Sequence, residues 1–285
     1  MSERLAEVGR RIATIRQLGA VVNAMRGIAA ARAQQSRARL PAIRAYSLTA
    51  AHAVAQARRL DAGREAGAGY TSRGKPGLIV FGAEQGFAGA FVEQALNAAA
   101  ADFATSRVFL VGSRTAALAA ERGLAFGWST GLPSGVGALA DTAATIVDAV
   151  YDYLSEAGAV TLSVVYPMWR TGRGTEMVRR SLLPLDVSAI STDASGSPPL
   201  TNLPPAELEA RLAQEYIFAE LCEAAVEAFA AENEARAATM AAAKTNIDGR
   251  LTALEADERR TRQSEITAEV VELASGARFR GLAGR

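Results

Sequence analysis

The sequence contains one cysteine and one histidine, and this scarcity excludes several kinds of site. Cys222 has no second cysteine to pair with, so no intrachain disulfide and no cysteine-based metal cluster can form. His52 lies in an alanine-rich run, which predicts helix surface or helix packing rather than catalysis. No serine therefore has a plausible histidine base, and no cluster of histidine and carboxylates can hold a metal. We expect no catalytic residue, no cofactor and no metal in this chain.

Aromatic side chains are also scarce, at 6% of the chain, whereas hydrophobic residues make up 49% and many of them are alanine. That balance favours closely packed helices over a β-sandwich. The sequence lacks an apolar run of about 18 residues, which a membrane span would need, and its N-terminus lacks the apolar segment of a signal peptide. We therefore expect a soluble, intracellular protein, and the length of 285 residues suggests about two domains.

Proline is absent between Pro205 and the end of the chain, and the only glycines from residue 204 to residue 277 are Gly249 and Gly276. Pro204 and Pro205 suit the first positions of a helix, and the glutamates that follow favour its N-terminal dipole. Alanine, glutamate, leucine and arginine dominate the stretch, and all four are good helix formers. Residues 204–285 are therefore predicted to form one long coiled-coil helix, roughly 110 Å if continuous to residue 277. Such a helix needs a partner along its length.

The N-terminal segment, residues 1–60, is predicted to form the partner helix. Its apolar residues recur at steps of three and four, which indicates a coiled-coil seam. The seam residues are Leu5, Val8, Ile12, Ile15, Val22, Met25 and Ala29. Gly19 and Gly27 weaken this helix but allow close approach of a neighbour. Pro41 predicts a kink or a local bend.

The charges of the two terminal segments are opposite. Residues 1–60 carry eleven arginines against Glu3 and Glu7, a net charge of +9, whereas residues 204–285 carry fifteen acids against ten bases, a net of −5. Nucleic-acid binding is one interpretation of the basic segment. Pairing with the acidic helix or with an acidic protein is the other, and we favour it because no aromatic side chains are interleaved for base stacking.

Residues 75–190 differ in character, because short apolar runs alternate there with helical patterns. Linkers rich in glycine, serine or polar residues flank this region at Asp61–Gly74 and Ser191–Pro205. Strands are predicted at 77–82, 107–112, 124–128, 159–166 and 175–183, and helices at 88–104, 113–122 and 137–156. This alternation predicts an inserted, Rossmann-like α/β domain with a largely parallel sheet. Because the insertion returns the chain to its starting point, the two long helices should be antiparallel.

The glycine-rich loop after the first strand raises the question of nucleotide binding. It contains Gly82, Gly86 and Gly89, at the place where α/β sheets bind phosphates. The sequence lacks the Gly-Lys-Ser/Thr of a P-loop, and its glycine spacing differs from the Gly-x-Gly-x-x-Gly of dinucleotide sites. A tight strand-to-helix turn explains the same glycines, and we favour that interpretation.

Three segments together resemble the gamma subunit of F-type ATP synthases. The run from Ile15 to Arg32, with Met25-Arg26 in it, is similar to the family's I-x-K-I-T-x-A-M-K-M-V-A-A-x-K. The run Glu84-Gln-Gly-Phe-Ala-Gly-Ala-Phe91 is similar to D-R-G-L-C-G-G-x-N. The most specific segment is Glu234–Asn246 followed by Arg260–Ala277, which resembles the C-terminal signature in order and spacing.

The resemblance implies a central rotor shaft rather than an enzyme. The helix pair would project into a hexamer of alpha and beta subunits, and the α/β domain would lie against the epsilon subunit and the c-subunit ring. The complex would then couple ion flow to ATP synthesis or hydrolysis, with this chain peripheral to the cytoplasmic face of a bacterial inner membrane. The coupling ion, H⁺ or Na⁺, would be selected in the c ring.

The resemblance also implies a set of partner contacts. Met25 and Arg26 would lie near the catalytic subunits, and Arg236, Gln263 and Thr267 would form hydrogen bonds to stator loops. Glu269 and Glu272 match acids near the same end. Since Arg236 and Gln263 are 27 residues apart, roughly 40 Å along one helix, they should face outward to different loops.

Some residues depart from the family pattern. Arg259 stands where the family usually has asparagine, Glu84-Gln85 replaces Asp-Arg, and the tail Arg278–Arg285 extends past the usual apolar ending. These departures suggest an alternative type of bacterial F-ATPase. Two other functions stay open: a stand-alone coiled-coil scaffold, and a nucleotide-binding α/β protein with a helical dimerisation arm.

Overall fold

The computed structural model describes residues 3–60, 74–158, 160–185 and 200–282, with side chains described up to residue 273. Along the chain, two long helices flank a mixed region of strands and short helices. In chain order the elements are α1 (Glu3–Leu60), β1 (Gly77–Phe81), α2 (Phe91–Ala98), α3 (Asp102–Thr105), β2 (Arg107–Val111), α4 (Ser113–Glu121), β3 (Trp128–Thr130), α5 (Leu139–Ala157), β4 (Leu162–Arg170), β5 (Gly174–Leu183) and α6 (Pro205–Leu282).

This order confirms the predicted α/β fold with long terminal helices, and the differences are local. The helix predicted at 88–104 is two helices, α2 and α3, because residues 99–101 form a turn that begins where the Ala99 amide bonds back to the carbonyl of Leu96, 3.3 Å away. The strand predicted at 124–128 lies later, at 128–130, because Leu124 and Phe126 pack against the core from a loop instead. Most of both predicted linkers lies outside the described residues.

Contacts divide the chain into two compact units. The helical unit comprises Met1–Ile28 and Ala238–Arg285, and the sheet unit comprises Ala29–Ala237. The division falls within both long helices, because the C-terminal half of α1 and the N-terminal part of α6 pack on the sheet. The domain boundaries suggested by the sequence follow the elements instead, and they stay a prediction.

The sheet has the strand order β3-β2-β1-β4-β5, with every neighbouring pair parallel except β4 and β5. Along β1 the side chains alternate between the two faces, as strand geometry requires. Leu78 and Val80 pack toward α2 and α4, whereas Ile79 and Phe81 pack toward α5 and α6. The sheet is therefore covered on both sides, which explains its continuous apolar strands.

Helix α6 supplies much of the second covering layer. Its segment from Ile217 to Phe229 belongs to the same core cluster as Phe109, Tyr166 and the inner face of α5. Many of its contacting residues are alanines, which let the helix lie close to its neighbours. The sole cysteine, Cys222, is buried in this segment. No helix among the described residues is both long enough and apolar enough to cross a membrane.

In the helical unit, α1 and α6 pack along the predicted seam. Leu5, Val8, Ile12 and Val22 are buried, and Val22 forms a cluster with Met240 and Ile247 of α6. At Gly19 an added Cβ would lie 3.3 Å from the side chain of Ile247, so this glycine marks a close approach of the helices. The contacts run in opposite directions along the two helices, which confirms the antiparallel arrangement.

Candidate functional site

The long helices are joined by ion pairs between arginines of α1 and glutamates of α6. In the sheet unit, Arg37 pairs with Glu234 at 2.9 Å and Arg58 with Glu209 at 2.8 Å. In the helical unit, Arg16 pairs with Glu255 at 2.8 Å. The predicted pairing of the basic and acidic segments is therefore confirmed within the chain.

Three buried glutamates of α6 form a charged cluster in the sheet unit. Glu220 accepts hydrogen bonds from Ser47 of α1 and Arg180 of β5, while Glu223 and Glu227 accept from Arg44 of α1 at 3.1 and 2.6 Å. Burial raises the pKa of Glu227, and the charge of Arg44 opposes this rise. Burial lowers the pKa of Arg180, but its hydrogen bond to Glu220 and the charge of Glu220 outweigh burial and raise it. The cluster ties α1, α6 and the sheet together.

The loop after β1 is held by the carboxylate of its own Glu84. That carboxylate accepts hydrogen bonds from the Ser113 amide at 2.9 Å, the Ser113 hydroxyl at 2.8 Å and the Leu132 amide at 2.7 Å. Ser113 begins α4, so the carboxylate lies at the positive end of that helix. A phosphate would seek the same amide donor, and here an internal anion already occupies it.

A second carboxylate, from α6, binds the backbone of the same loop. Glu232 accepts hydrogen bonds from the amides of Glu84 at 3.1 Å and Gln85 at 3.0 Å. The loop follows β1 at the point where the strand order reverses, which is the usual ligand position in such sheets. Glu84 and Glu232 together accept from four backbone amides at this position, so the geometry disfavours a nucleotide there.

Arg236 lies beside Glu232 and is 6% exposed, so the expectation that it faces outward is wrong. Its guanidinium forms an ion pair with Glu232 and donates to the side chain of Asn233 at 3.1 Å and the carbonyl of Gly86 at 3.2 Å. The side chain points into the chain because its donors match the carbonyl, the amide oxygen and the carboxylate there. The sequence does show the Glu232–Arg236 spacing of four, but such a pair usually lies on a helix surface.

Met25 and Arg26, in the helical unit, have different surroundings. Met25 is half-buried and packs against the cluster of Val22, Met240 and Ile247. Arg26 is exposed and donates a hydrogen bond to Asn23 at 3.0 Å, on its own helix. Of the two, Arg26 presents its side chain to solvent, where a partner could reach it.

The other predicted contact residues lie on the exposed part of α6 in the helical unit. Gln263, Thr267, Glu269 and Glu272 are all exposed. The hydroxyl of Thr267 donates to the carbonyl of Gln263 at 2.9 Å, within the helix. The structure thus leaves these side chains accessible, although it does not bring them into one cluster.

Sequence reasoning missed the exposed apolar side chains of the helical unit. Those on α1 are Leu18, Val21 and Ile28, which are 49%, 56% and 55% exposed. Those on α6 include Ile266, Val270 and Leu273, which are 55%, 59% and 70% exposed. Their steps of three, four and seven residues place each set on one side of its helix. That spacing, distinct from the buried seam, was the available signal.

Comparison with known proteins finds similarity over nearly the whole chain. The family model described as ATP synthase matches residues 4–278. A search of curated proteins gives no match. Two cryo-EM structures of Euglena gracilis mitochondrial ATP synthase contain similar chains. For the OSCP/F1/c-ring in rotational state 3, the TM-score is 0.62 at 13% identity, and the match covers 95% of this chain and 93% of that one. For the rotor in rotational state 1, the TM-score is 0.59 at 12% identity, and the match covers 92% of this chain and 99% of that one.

A third similar structure is the central stalk and c-ring of Tetrahymena thermophila mitochondrial ATP synthase. Its TM-score is 0.56 at 16% identity, and the match covers 78% of this chain and 99% of that one. At these identities the structural likeness shows a shared fold. The family match rests on the sequence and extends over α1, the sheet and α6.

Proposed function

Since the chain belongs to the gamma-subunit family of ATP synthases and is a rotor-shaft subunit, we propose that its helical unit turns inside a ring of alpha and beta subunits. The observation that carries this proposal is the single family match over residues 4–278, which includes both long helices and the sheet between them. Neither a helix pair nor an α/β domain alone would give a match of that extent.

The surface of the helical unit supports a partner that surrounds it. The seam residues are buried between α1 and α6, yet Leu18, Val21 and Ile28 remain exposed on another side of α1. A partner that removes such apolar side chains from water would stabilise the complex by roughly 25 cal/mol per Å² of buried apolar surface. The exposed Val270 and Leu273 of α6 offer a similar surface.

Rotation would act through differential contact. Each catalytic subunit meets a different side of an asymmetric helix pair, so turning the pair changes the relative free energies of the subunits' conformations. The proposed contacts are the exposed or half-buried residues of the helical unit: Met25, Arg26, Gln263, Thr267, Glu269 and Glu272. Arg236 does not belong with them, because its side chain is buried in the sheet unit.

The sheet unit would bind the epsilon subunit and the c-subunit ring. The chain would then be a non-catalytic subunit, peripheral to the cytoplasmic face of a bacterial inner membrane through its complex. Its own residues would bind partners and resist twisting, and they would break or form no covalent bond. The catalytic chemistry would belong to the alpha and beta subunits.

Co-purification separates this function from the two alternatives. The full-length chain, expressed with candidate alpha and beta subunits, should copurify with both, and the complex should hydrolyse ATP. A scaffold would copurify with other proteins, and a nucleotide-binding protein would retain bound nucleotide without them. Recovery of the chain without alpha and beta subunits would contradict the proposal.

A pair of variants tests the proposed contacts in the same assay. Gln263→Ala should reduce alpha–beta recovery or coupled ATPase activity, since a neutral hydrogen bond contributes about 0.5–1.5 kcal/mol. Gln56→Ala is the matched control, because Gln56 is also an exposed glutamine on a helix but lies in the sheet unit. Equal behaviour of the two variants would remove Gln263 from the contact set.

A further inference from the structure

Glu232 and Arg236 form a buried polar connection, here called the latch, between α6 and the loop at residues 82–90. The carboxylate of Glu232 binds two loop amides, those of Glu84 and Gln85, and the guanidinium of Arg236 binds the carbonyl of Gly86. Glu232 and Arg236 also pair with each other. Three consecutive loop residues are therefore held by one turn of α6.

The loop adopts a conformation that the rest of the structure must maintain. Phe87 has a φ of +64°, although it is not a glycine, and the residue is 67% exposed. An exposed aromatic residue gains little packing there to offset the unfavourable backbone conformation. Phe87 directly follows Gly86, whose carbonyl is bound by Arg236. The latch is therefore well placed to maintain the loop.

Apolar packing and the latch constrain α6 in different ways. Around the latch, Ala231 and Ala235 pack against Ala83, Ala88 and Phe91. Contacts between such small apolar groups resist separation, but they are not directional. Hydrogen bonds weaken steeply when their angle changes, and those of ionised groups are the strongest. The latch therefore adds directional resistance to sliding and twisting of α6 against the sheet, beyond what the packing supplies.

We propose that the latch carries torque between α6 and the sheet, with Glu232 and Arg236 as positioning residues that fasten the helix to the loop of the central strand β1. This inference rests on the proposed rotor function. The latch grips a loop that begins where β1 ends, and β1 is bonded to both β2 and β4. Force on α6 thus reaches the middle of the sheet rather than an edge strand.

Hydrogen exchange of the full-length chain tests the latch itself. Glu232→Gln keeps the side-chain shape but removes the charge and one acceptor, so the amides of Glu84 and Gln85 should exchange at least tenfold faster. Glu234→Gln is the matched control, since Glu234 lies two residues further along α6 but pairs with Arg37 of α1. Unchanged protection of both loop amides in Glu232→Gln would overturn the latch.

Ion transport per ATP hydrolysed, measured in the complex with alpha, beta and membrane subunits, tests the torque. Glu232→Gln should lower this ratio at least twofold relative to Glu234→Gln, while the rate of ATP hydrolysis falls less. Arg236→Lys keeps the charge but loses the forked donors, so its ratio should lie between those of Glu232→Gln and Glu234→Gln. This variant replaces Glu232→Gln as the test if Glu232→Gln does not fold. A ratio equal to that of Glu234→Gln in the variants that assemble would overturn the torque role.

The two experiments distinguish the latch from the function on which it rests. A wild-type chain that never copurifies with alpha and beta subunits would contradict the proposed function and, with it, the torque role. The exchange result would then still decide whether the latch holds the loop. A complex that assembles but shows no effect of either latch variant would contradict the torque role alone.

Discussion

Arg44 of α1 donates a 2.6 Å hydrogen bond to the buried carboxylate of Glu227 on α6. A second nitrogen of the same guanidinium donates to Glu223 at 3.1 Å. One exposed arginine thus forms ion pairs with two buried glutamates. Burial still raises the pKa of Glu227, because the opposing charge of Arg44 does not fully compensate for the lost water.

The raised pKa of Glu227 predicts a pH dependence of stability. A raised folded-state pKa means that the folded chain binds this proton more tightly than the unfolded chain. The contribution of Glu227 to the free energy of unfolding therefore grows as the pH falls toward the ordinary pKa of about 4.3. The stability of Glu227→Gln relative to wild type should therefore be greatest at pH 8, and this relative stability should decrease by pH 5. Urea midpoints across this range measure it, with Glu209→Gln at a less buried pair as control. A pH-independent difference would contradict the expectation.

Arg236→Ala should strongly destabilise the chain, because it leaves the buried carboxylate of Glu232 without its ion partner. Breaking a buried pair by removing one member typically costs about 3–5 kcal/mol. Arg26→Ala is the control, since Arg26 is exposed and such substitutions usually change stability by less than about 0.5 kcal/mol. Denaturant unfolding followed by circular dichroism compares them. Similar midpoints for the two variants would show that the burial of Arg236 contributes little.

Gly82→Ala should destabilise the sheet unit through a steric clash. A Cβ at residue 82 would lie 2.1 Å from the hydroxyl oxygen of Thr115, which is buried and accepts the Ala83 amide at 2.8 Å. Overpacking of this kind costs about 1–3 kcal/mol. At Gly86 an added Cβ meets no atom within 4 Å, so Gly86→Ala should be tolerated. Thermal unfolding of both variants tests the contrast, and equal melting temperatures would refute it.

The close approach of the two helices at Gly19 predicts an intrachain cross-link. Gly19→Cys combined with Ile247→Cys should form a disulfide within one chain, because an added Cβ at residue 19 lies 3.3 Å from the Ile247 side chain. Mild oxidation followed by non-reducing electrophoresis should show a faster-migrating monomer. The pair Gly27→Cys with Ile247→Cys is the control, since Gly27 has no neighbour within 4 Å. Products that are exclusively dimers would indicate a dimeric scaffold.

The thiol of Cys222 should react slowly while the chain is folded. Burial raises its pKa to about 11, so little thiolate exists near neutral pH. Alkylation at pH 7.5 should be at least tenfold slower than in urea, where the thiol returns to an ordinary pKa of about 8.5. The activity of the assembled complex should accordingly not respond to dithiol reductants through this residue. Rapid native alkylation would contradict both expectations.

Much of the fold was predictable because its signals are local. A proline-free stretch of good helix formers predicted α6, and its predicted start at Pro204–Pro205 agrees with the helix that begins at Pro205. Apolar residues at steps of three and four predicted the buried seam of α1, and alternating strands and helices predicted the parallel sheet. Opposite charges predicted pairing of the long helices, which Arg16 and Glu255 illustrate.

The surroundings of single polar residues were less predictable. Arg236 was expected to face outward from a helix surface, yet it is buried against a loop that lies 150 positions earlier in the sequence. Glu84 and Gln85 were noted as part of a family motif and as departures from it, but nothing indicated that their amides bind Glu232. The sequence favoured a structural turn over a ligand site at this loop, but it did not show that the loop's amides bind the chain's own carboxylates.

The sequence by itself determined the element types, the antiparallel helix pair, the charge complementarity and the family to which the chain belongs. Periodicity, composition and helix termination depend on near neighbours, so they can be seen in a linear string of residues. Only the tertiary structure decided which charges are buried and which amides they bind. Those outcomes depend on residues that are distant in sequence coming together. A charge removed from water needs a polar partner, and no local pattern specifies which distant residue supplies it.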